Sequence, residues 1–102
     1  MAREQLKTLT EQMYYLLLVL QTPNFGYAIM QEVEQLTKGR VAIGAGTLYA
    51  LLGRFEKEGI IQQVEEIERK KYYQITILGN QLLQEEYQRL TNLVIDGREK
   101  GL

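Results

Sequence analysis

Apolar side chains recur along this chain at two different spacings, which separate helical from extended segments. Near the N-terminus five of them follow one another at intervals of three and four residues, the period of one helix face: Leu6, Leu9, Met13, Leu16 and Leu20. This spacing predicts a first helix over about residues 8–21. Its other faces are also largely apolar, through residues such as Tyr14 and Tyr15, so we expect it to meet another subunit as well as its own core.

Two further helices are predicted before residue 60. The second covers residues 27–38 and is followed by Gly39, a residue type that often terminates helices. Residues 41–43 read as a very short strand. The third helix covers about residues 47–58, with Leu48, Leu52 and Phe55 on its buried side and Gly59 after it.

The periodicity changes after Gly59. Residues 60–66 and 71–76 are rich in Ile, Val, Tyr and Thr and flank a short charged turn, a pattern that predicts a β-hairpin. The turn contains no glycine, so its type stays open. Thr76 is suited to cap a last helix that runs to about Asp96 and ends at Gly97. This helix carries a coiled-coil-like seam with spacings of four, three and four: Leu83, Tyr87, Leu90 and Val94.

Three helices followed by a two-stranded hairpin form the winged variant of the helix-turn-helix. The predicted fold class is therefore mainly α with a small β-hairpin. We assign residues 1–76 to a winged helix-turn-helix DNA-binding domain, whose N-terminal helix joins a dimer interface, and residues 77–102 to a C-terminal dimerisation helix. The predicted interface consists of the two apolar seams: Leu6, Leu9, Met13, Leu16, Leu20, Leu83, Tyr87, Leu90 and Val94.

Composition excludes several kinds of chemistry. The 102 residues suffice for one domain, and they include no Cys and no His, which rules out disulfides, thiol catalysis and histidine-ligated metal centres. The 13 carboxylates form no pair in an apolar setting, and Glu65, Glu66, Glu85 and Glu86 are expected on solvated faces. We therefore expect no enzymatic activity, no cofactor and no metal site.

The chain gives no sign of a membrane or export signal. Its longest apolar run, residues 13–20, is far shorter than the ~20 residues that span a bilayer. The first residues lead straight into a polar, helix-prone stretch rather than into a signal peptide. The expected compartment is the cytoplasm, with no membrane partner.

The net charge of −1 means that binding to nucleic acid would depend on where the charges lie. Wings follow the phosphate backbone, and the second helix of a helix-turn-helix enters the major groove. The predicted DNA contacts are therefore Thr47, Tyr49, Ala50, Arg54 and Lys57 on the third helix, and Arg69, Lys70, Lys71 and Tyr72 on the wing. Which of Tyr72 and Tyr73 faces the DNA stays open.

Four stretches, taken in order, carry a resemblance to a known family. They are PNFGYAI at residues 23–29, GTLY at 46–49, LGRFEKEG at 52–59, and RKKYYQIT at 69–76 followed by Gly79. In this combination the chain resembles the PadR family of transcriptional regulators, and its single last helix resembles the short subgroup. The resemblance implies a homodimeric repressor, often of transporter or stress genes. It also implies an apolar or aromatic effector bound between the subunits, as in some members.

A two-fold dimer of this kind would bind double-stranded DNA with a near-palindromic operator, its half-sites about 10–10.5 bp apart or a multiple of that. A second interpretation stays open. The acidic balance, Gly53 in the middle of the third helix and the short wing also suit a winged-helix module that binds protein without specific DNA binding.

Overall fold

Four helices and a three-stranded antiparallel sheet make up the part of the chain that the computed structural model describes, residues 8–102. The elements in chain order are α1 (Glu11–Val19), β1 (Asn24–Phe25), α2 (Gly26–Thr37), α3 (Ala45–Lys57), β2 (Ile61–Ile67), β3 (Lys70–Ile75) and α4 (Ile77–Glu99). The strand order is β1-β3-β2. The predicted fold class, mainly α with a small β-hairpin in a winged helix-turn-helix, is confirmed.

Side-chain caps begin two of the helices. The Thr10 hydroxyl accepts a hydrogen bond from the Met13 amide at 3.2 Å, and the Thr76 hydroxyl accepts one from the Gly79 amide at 3.1 Å. These caps satisfy amides that have no partner within the helix. The predicted end of the last helix at Gly97 is wrong, because α4 continues to Glu99. Gly101, with φ +99°, makes the left-handed turn that follows.

The predicted strand at residues 41–43 is wrong as well. Thr37 holds this segment as a loop: its hydroxyl donates to the Val33 carbonyl at 2.9 Å and accepts from the Val41 amide at 3.1 Å. Val41 and Ile43 are buried by this loop rather than by a sheet. The third strand is β1 instead, where Asn24 and Phe25 pair with Tyr73 and Tyr72 of β3.

One core joins α1, α2, α3, the first residue of β2 and the first half of α4. It corrects part of the predicted dimer interface, because five of those side chains are already buried within a single chain: Leu9, Met13, Leu16, Leu20 and Leu83. Leu16 and Leu20 have no exposed surface left to offer a second subunit. Leu6 lies outside the described residues. Of the predicted seam, Tyr87 and Val94 are exposed and Leu90 is half-buried.

The first turn of α4 packs on Gly59 and Ile60, the segment that links α3 to β2. The Thr76 amide donates to the Ile60 carbonyl at 3.0 Å, and the Thr76 hydroxyl donates to the Gly59 carbonyl at 2.6 Å. Gly79 lies so close to the Ile60 carbonyl oxygen that a Cβ at this position would collide with it. Glycine is therefore required here by the approach of two backbones.

A buried carboxylate fastens the start of α1 to α4. Glu86 is only 3% exposed, and it accepts hydrogen bonds from the Leu9 amide at 3.2 Å and from Arg89 at 2.8 and 2.7 Å. The bond from Arg89 holds the pKa of Glu86 below its ordinary value of 4.5, although burial acts in the opposite direction. The expectation that Glu86 lies on a solvated face is wrong, because Arg89 and Leu9 replace the water.

The second half of α4 packs against few other residues of the chain. None of the residues from 87 to 102 is buried, and Tyr87, Leu93, Val94 and Ile95 expose large apolar surfaces. None of the helices formed by residues 8–102 carries an apolar stretch long enough to cross a lipid bilayer.

Replacing Gly79 by alanine tests the contact between α3 and α4. We expect Gly79→Ala to lower the free energy of unfolding by about 1–3 kcal/mol, because a methyl group must displace the Ile60 carbonyl. Gly53→Ala is the matched control: nothing lies within 4 Å of its added Cβ, so it should stabilise α3 by about 0.5–1 kcal/mol. Urea denaturation followed by circular dichroism measures both, and equal effects would contradict the contact.

Glu86→Gln tests the buried ion pair through its pH dependence. The folded pKa is depressed, so the carboxylate stabilises the fold above its unfolded pKa and loses that effect as the pH falls through the folded value. We expect the variant to be about 1–3 kcal/mol less stable at pH 7 and the difference to shrink below about pH 4.5. Glu99→Gln, at the exposed end of α4, should show no such difference. A gap between wild type and Glu86→Gln that does not change with pH would rule out the ion pair as its cause.

Candidate nucleic-acid interface

The third helix turns one side to the core and the other to solvent. Leu48, Leu52 and Phe55 are buried, which fixes the rotation of α3 about its axis. All five positions predicted on this helix to contact DNA lie on the exposed side: Thr47, Tyr49, Ala50, Arg54 and Lys57. The small residues Gly44, Ala45 and Gly46 at its start leave the N-terminal end of α3 open to a neighbouring surface.

Tyr49 is held against the beginning of α2. It is 60% exposed, yet its hydroxyl lies over Gly26, where an added Cβ would stand 2.6 Å from the Tyr49 oxygen. Gly26 is itself buried as the first residue of α2. A side chain in place of Gly26 would push the Tyr49 hydroxyl away from this position.

The wing closes in a two-residue turn made of Glu68 and Arg69. Their φ angles are 52° and 68°, so both are left-handed, as the type I′ turn of a tight hairpin requires. The structure thus gives the turn type that the sequence left open, in a turn that contains no glycine. Arg69, Lys70 and Lys71 are all exposed at this tip.

An aromatic contact supports the base of the wing. The rings of Phe25 and Tyr72 lie 5.2 Å apart with 55° between their planes, and the Lys70 ammonium sits 4.8 Å from the centre of the Phe25 ring. Lys70 is thus positioned by a strand that precedes it by 45 residues. Tyr72, predicted to contact DNA, is half-buried against Phe25.

Tyr73 takes the inner position on β3. It packs against the core, and its pKa is raised first by burial and then by the proximity of Glu56 and Tyr49. The open question about the two tyrosines is therefore answered in part: Tyr73 faces α3 and the core. Tyr72 lies against Phe25, where one edge stays accessible.

The recognition helix and the wing meet around a cavity of about 450 Å³, which we name the wing notch. Its lining comes from β1, α2, α3 and the wing: Phe25, Gly26, Tyr27, Tyr49, Arg69, Lys70, Lys71 and Tyr73. The notch therefore unites Tyr49 with the three predicted wing cations. Phe25 and Gly26 were not predicted as part of this surface, although the Phe-Gly-Tyr motif that contains them was visible.

The other predicted cations of α3 lie apart from the notch. Arg54 donates from Nε to Glu58 at 3.0 Å, one turn further along the helix. Lys57 is exposed at the last residue of α3. Thr47 and Ala50 are exposed on the N-terminal half of α3 and do not line the notch.

Sequence comparisons place these features in a family. The profile of the transcriptional regulator PadR-like family matches residues 16–85, which include α1 from Leu16, the whole wing and the start of α4. A protein of Lysinibacillus sphaericus, named uncharacterized protein X, is 34% identical over 92 residues, covering 80% of this chain and 84% of that protein. A 37.1 kDa protein in a transposon of Streptomyces fradiae is 32% identical over 88 residues, and this chain spans 25% of its length.

Solved structures share the fold. A transcriptional regulator from Clostridium thermocellum is 31% identical, with a TM-score of 0.67 over 85% of this chain and 90% of that one. A PadR-like transcription factor from Bacteroides fragilis is 24% identical, with a TM-score of 0.73 over 98% and 97%. RosR of H. salinarum, solved as a complex, is 21% identical, with a TM-score of 0.63 over 90% and 94%.

The family match covers most of the chain, and the relatives share both the sequence pattern and the winged-helix fold. Members of this family are transcriptional regulators and not enzymes. Together with a recognition helix and a cationic wing on one surface, these findings show that the chain belongs to the PadR-like family and is a DNA-binding transcriptional regulator.

Proposed function

We propose that two copies of this chain form a homodimeric repressor that binds a near-palindromic operator in double-stranded DNA. The observation that carries the proposal is the wing notch, where α3 and the three wing cations share one surface. A helix and a hairpin arranged in this way fit a major groove and the phosphate backbone beside it.

The N-terminal half of α3 is the part proposed to enter the groove. Thr47 and Ala50 are exposed there and surrounded by small residues, so base edges can come close to both. Thr47 can donate to or accept from a base, and the Ala50 methyl can touch a thymine methyl. Arg54 and Lys57 lie further along the helix and would contact phosphates. Arg54 would then leave its ion pair with Glu58.

The wing is proposed to anchor the protein without regard to sequence. Arg69, Lys70 and Lys71 are exposed on the turn and the first residues of β3, and Tyr72 lies beside them. Lysine and arginine gain affinity for DNA by releasing the counterions condensed on its phosphates. Because Lys70 is already positioned over Phe25, it loses less conformational freedom on binding.

The second half of α4 is the proposed dimer contact. Tyr87 and Val94 are 60% and 55% exposed, and Leu90, Leu93 and Ile95 widen the apolar surface. Contiguous apolar surface of this kind marks an interaction site. Pairing through α4 about a two-fold axis would place the two recognition helices at half-sites about 10–10.5 bp apart, or a multiple of that.

An apolar or aromatic effector at this interface is a further part of the proposal. Two cavities of about 190 and 250 Å³ lie between α1 and α4, and both are lined by Tyr14 and Tyr87. Each is smaller than the ~300–1,000 Å³ of typical ligand sites, so a second subunit would complete the pocket. A ligand that favours one spacing of the subunits would shift the population of DNA-binding dimers.

Replacing both Lys70 and Lys71 by alanine tests the wing. We expect the double variant to bind every duplex more weakly and to lower the slope of log K against log salt by about 2, because two phosphate contacts are lost. Fluorescence anisotropy at several salt concentrations measures both. The charge-matched control replaces Lys38 and Arg40, which are exposed in the loop after α2, by glutamine. Unchanged DNA binding by the wing variant would show that the wing does not contact DNA.

Replacing Val94 by glutamate tests the dimer. Two charges forced together on an apolar contact should convert the dimer to a monomer at micromolar concentrations, which sedimentation equilibrium detects. Asn92→Glu, on the opposite side of α4, should leave the mass unchanged. The Val94 variant should also lose binding to the full operator more than to a single half-site. A dimer that survives Val94→Glu would place the interface elsewhere.

A further inference from the structure

We infer that the wing notch holds one backbone phosphate of the DNA, and that Tyr49 is a ligand of this phosphate rather than a reader of base edges. The inference rests on the proposed binding of DNA by α3 and the wing. It assigns Tyr49, which the sequence predicts only as a DNA contact, to the phosphate backbone, and it gives Gly26 a positioning role.

The lining of the notch has the chemistry of a phosphate site. It contains three cations, Arg69, Lys70 and Lys71, together with three tyrosines that include Tyr49, and no carboxylate lies among the lining residues. Glu56 lies close enough to act on Tyr73 but does not line the notch. Cationic and hydroxyl donors that converge on one cavity favour a compact anion with several acceptor oxygens.

Another cationic cavity of the molecule differs in this respect. The space between the start of α1 and α4, about 380 Å³, is lined by Arg40 and Arg89 but also by Glu11 and Glu86. Arg89 is bound there by Glu86 at 2.7 Å. The positive charge of that cavity is thus compensated by its own lining, whereas no carboxylate lines the wing notch.

The geometry of Tyr49 separates it from the base-reading residues. Its hydroxyl turns back over Gly26 at the start of α2 and into the notch, whereas Thr47 and Ala50 lie outside the notch. Within residues 8–102 this hydroxyl has no hydrogen-bond partner, so it is free to donate. The Tyr27 hydroxyl, by contrast, already accepts from Gln31 at 3.1 Å.

The position of the notch matches the path of a DNA strand. When a recognition helix lies in the major groove and a wing lies on the backbone, one strand must pass between them. The notch is the space between these two elements. A phosphate there would fix the depth of α3 in the groove, so Tyr49 and Gly26 would set the register in which Thr47 and Ala50 meet the bases.

Removal of the single hydroxyl tests the inference. The probes are a duplex selected by the wild-type protein from a random-sequence pool and a scrambled version of it. We expect Tyr49→Phe to weaken binding to both duplexes by the same factor, about 10–150-fold, as loss of one hydrogen bond to a charged group implies. Thr47→Ala is the matched control on the same helix and should weaken binding to the selected duplex only.

Duplexes in which a single phosphate has been made uncharged identify the phosphate that the wing notch holds. Methylphosphonate groups are placed at one phosphate at a time along the selected duplex. We expect one position in each half-site at which neutralisation weakens wild-type binding but has little further effect on the Tyr49→Phe, Lys71→Ala double variant. Gly26→Ala, with its thermal midpoint checked, should reproduce the uniform loss of Tyr49→Phe, because its methyl group displaces the Tyr49 ring.

The outcomes distinguish this inference from the proposed function. Selective loss on the selected duplex alone would make Tyr49 a base reader and overturn the inference while the function stands. The inference would also be overturned if Tyr49→Phe bound each duplex as tightly as the wild type does. It would likewise be overturned if, at every position, a methylphosphonate weakened the double variant as much as it weakens the wild type. Absence of selective binding by the wild-type protein would overturn the proposed function as well.

Discussion

The geometry of this molecule depends on one backbone carbonyl, that of Ile60. It accepts the amide of Thr76, and Gly79 lies against it without a side chain. The Thr76 hydroxyl caps α4 from the same place and reaches the Gly59 carbonyl. The end of the recognition helix and the start of the longest helix are therefore joined without a flexible linker. The start of α4 cannot move without disturbing the segment that links α3 to β2, since packed backbones of this kind resist continuous deformation.

The second organising feature is the separation of charge in a chain with a net charge of −1. The carboxylate nearest the core, Glu86, is neutralised by Arg89, and Glu58 pairs with Arg54 at the far end of α3. On the wing, Glu66 of β2 lies opposite Lys71 of β3, and Glu68 shares the turn with Arg69. A polyanion that enters the wing notch meets three cations and no carboxylate among the lining residues. The net charge of the whole chain matters less there, because exposed charges are screened beyond a Debye length of about 8–10 Å.

Periodicity predicted much of this fold but not its tertiary contacts. The spacing of Leu48, Leu52 and Phe55 identifies the buried side of α3 because a single helix decides it. The same kind of spacing at Leu16 and Leu20 pointed to a dimer interface, and the structure places them in the chain's own core. Periodicity reports that a face is covered and not what covers it. The roles of Gly26, Gly79 and Glu86 depend on partners 23, 19 and 77 residues away, which a local pattern does not encode.

The exposed second half of α4 would make operator binding depend on the concentration of the protein. A helix segment with few tertiary contacts is marginal in water. In the proposed dimer the partner supplies further contacts, so that the segment becomes more ordered on association. The concentration of the dimer then rises with the square of the total protein concentration when the protein is scarce. Occupancy of the operator would respond to dilution during cell growth more steeply than it would for a protein that binds as a single chain.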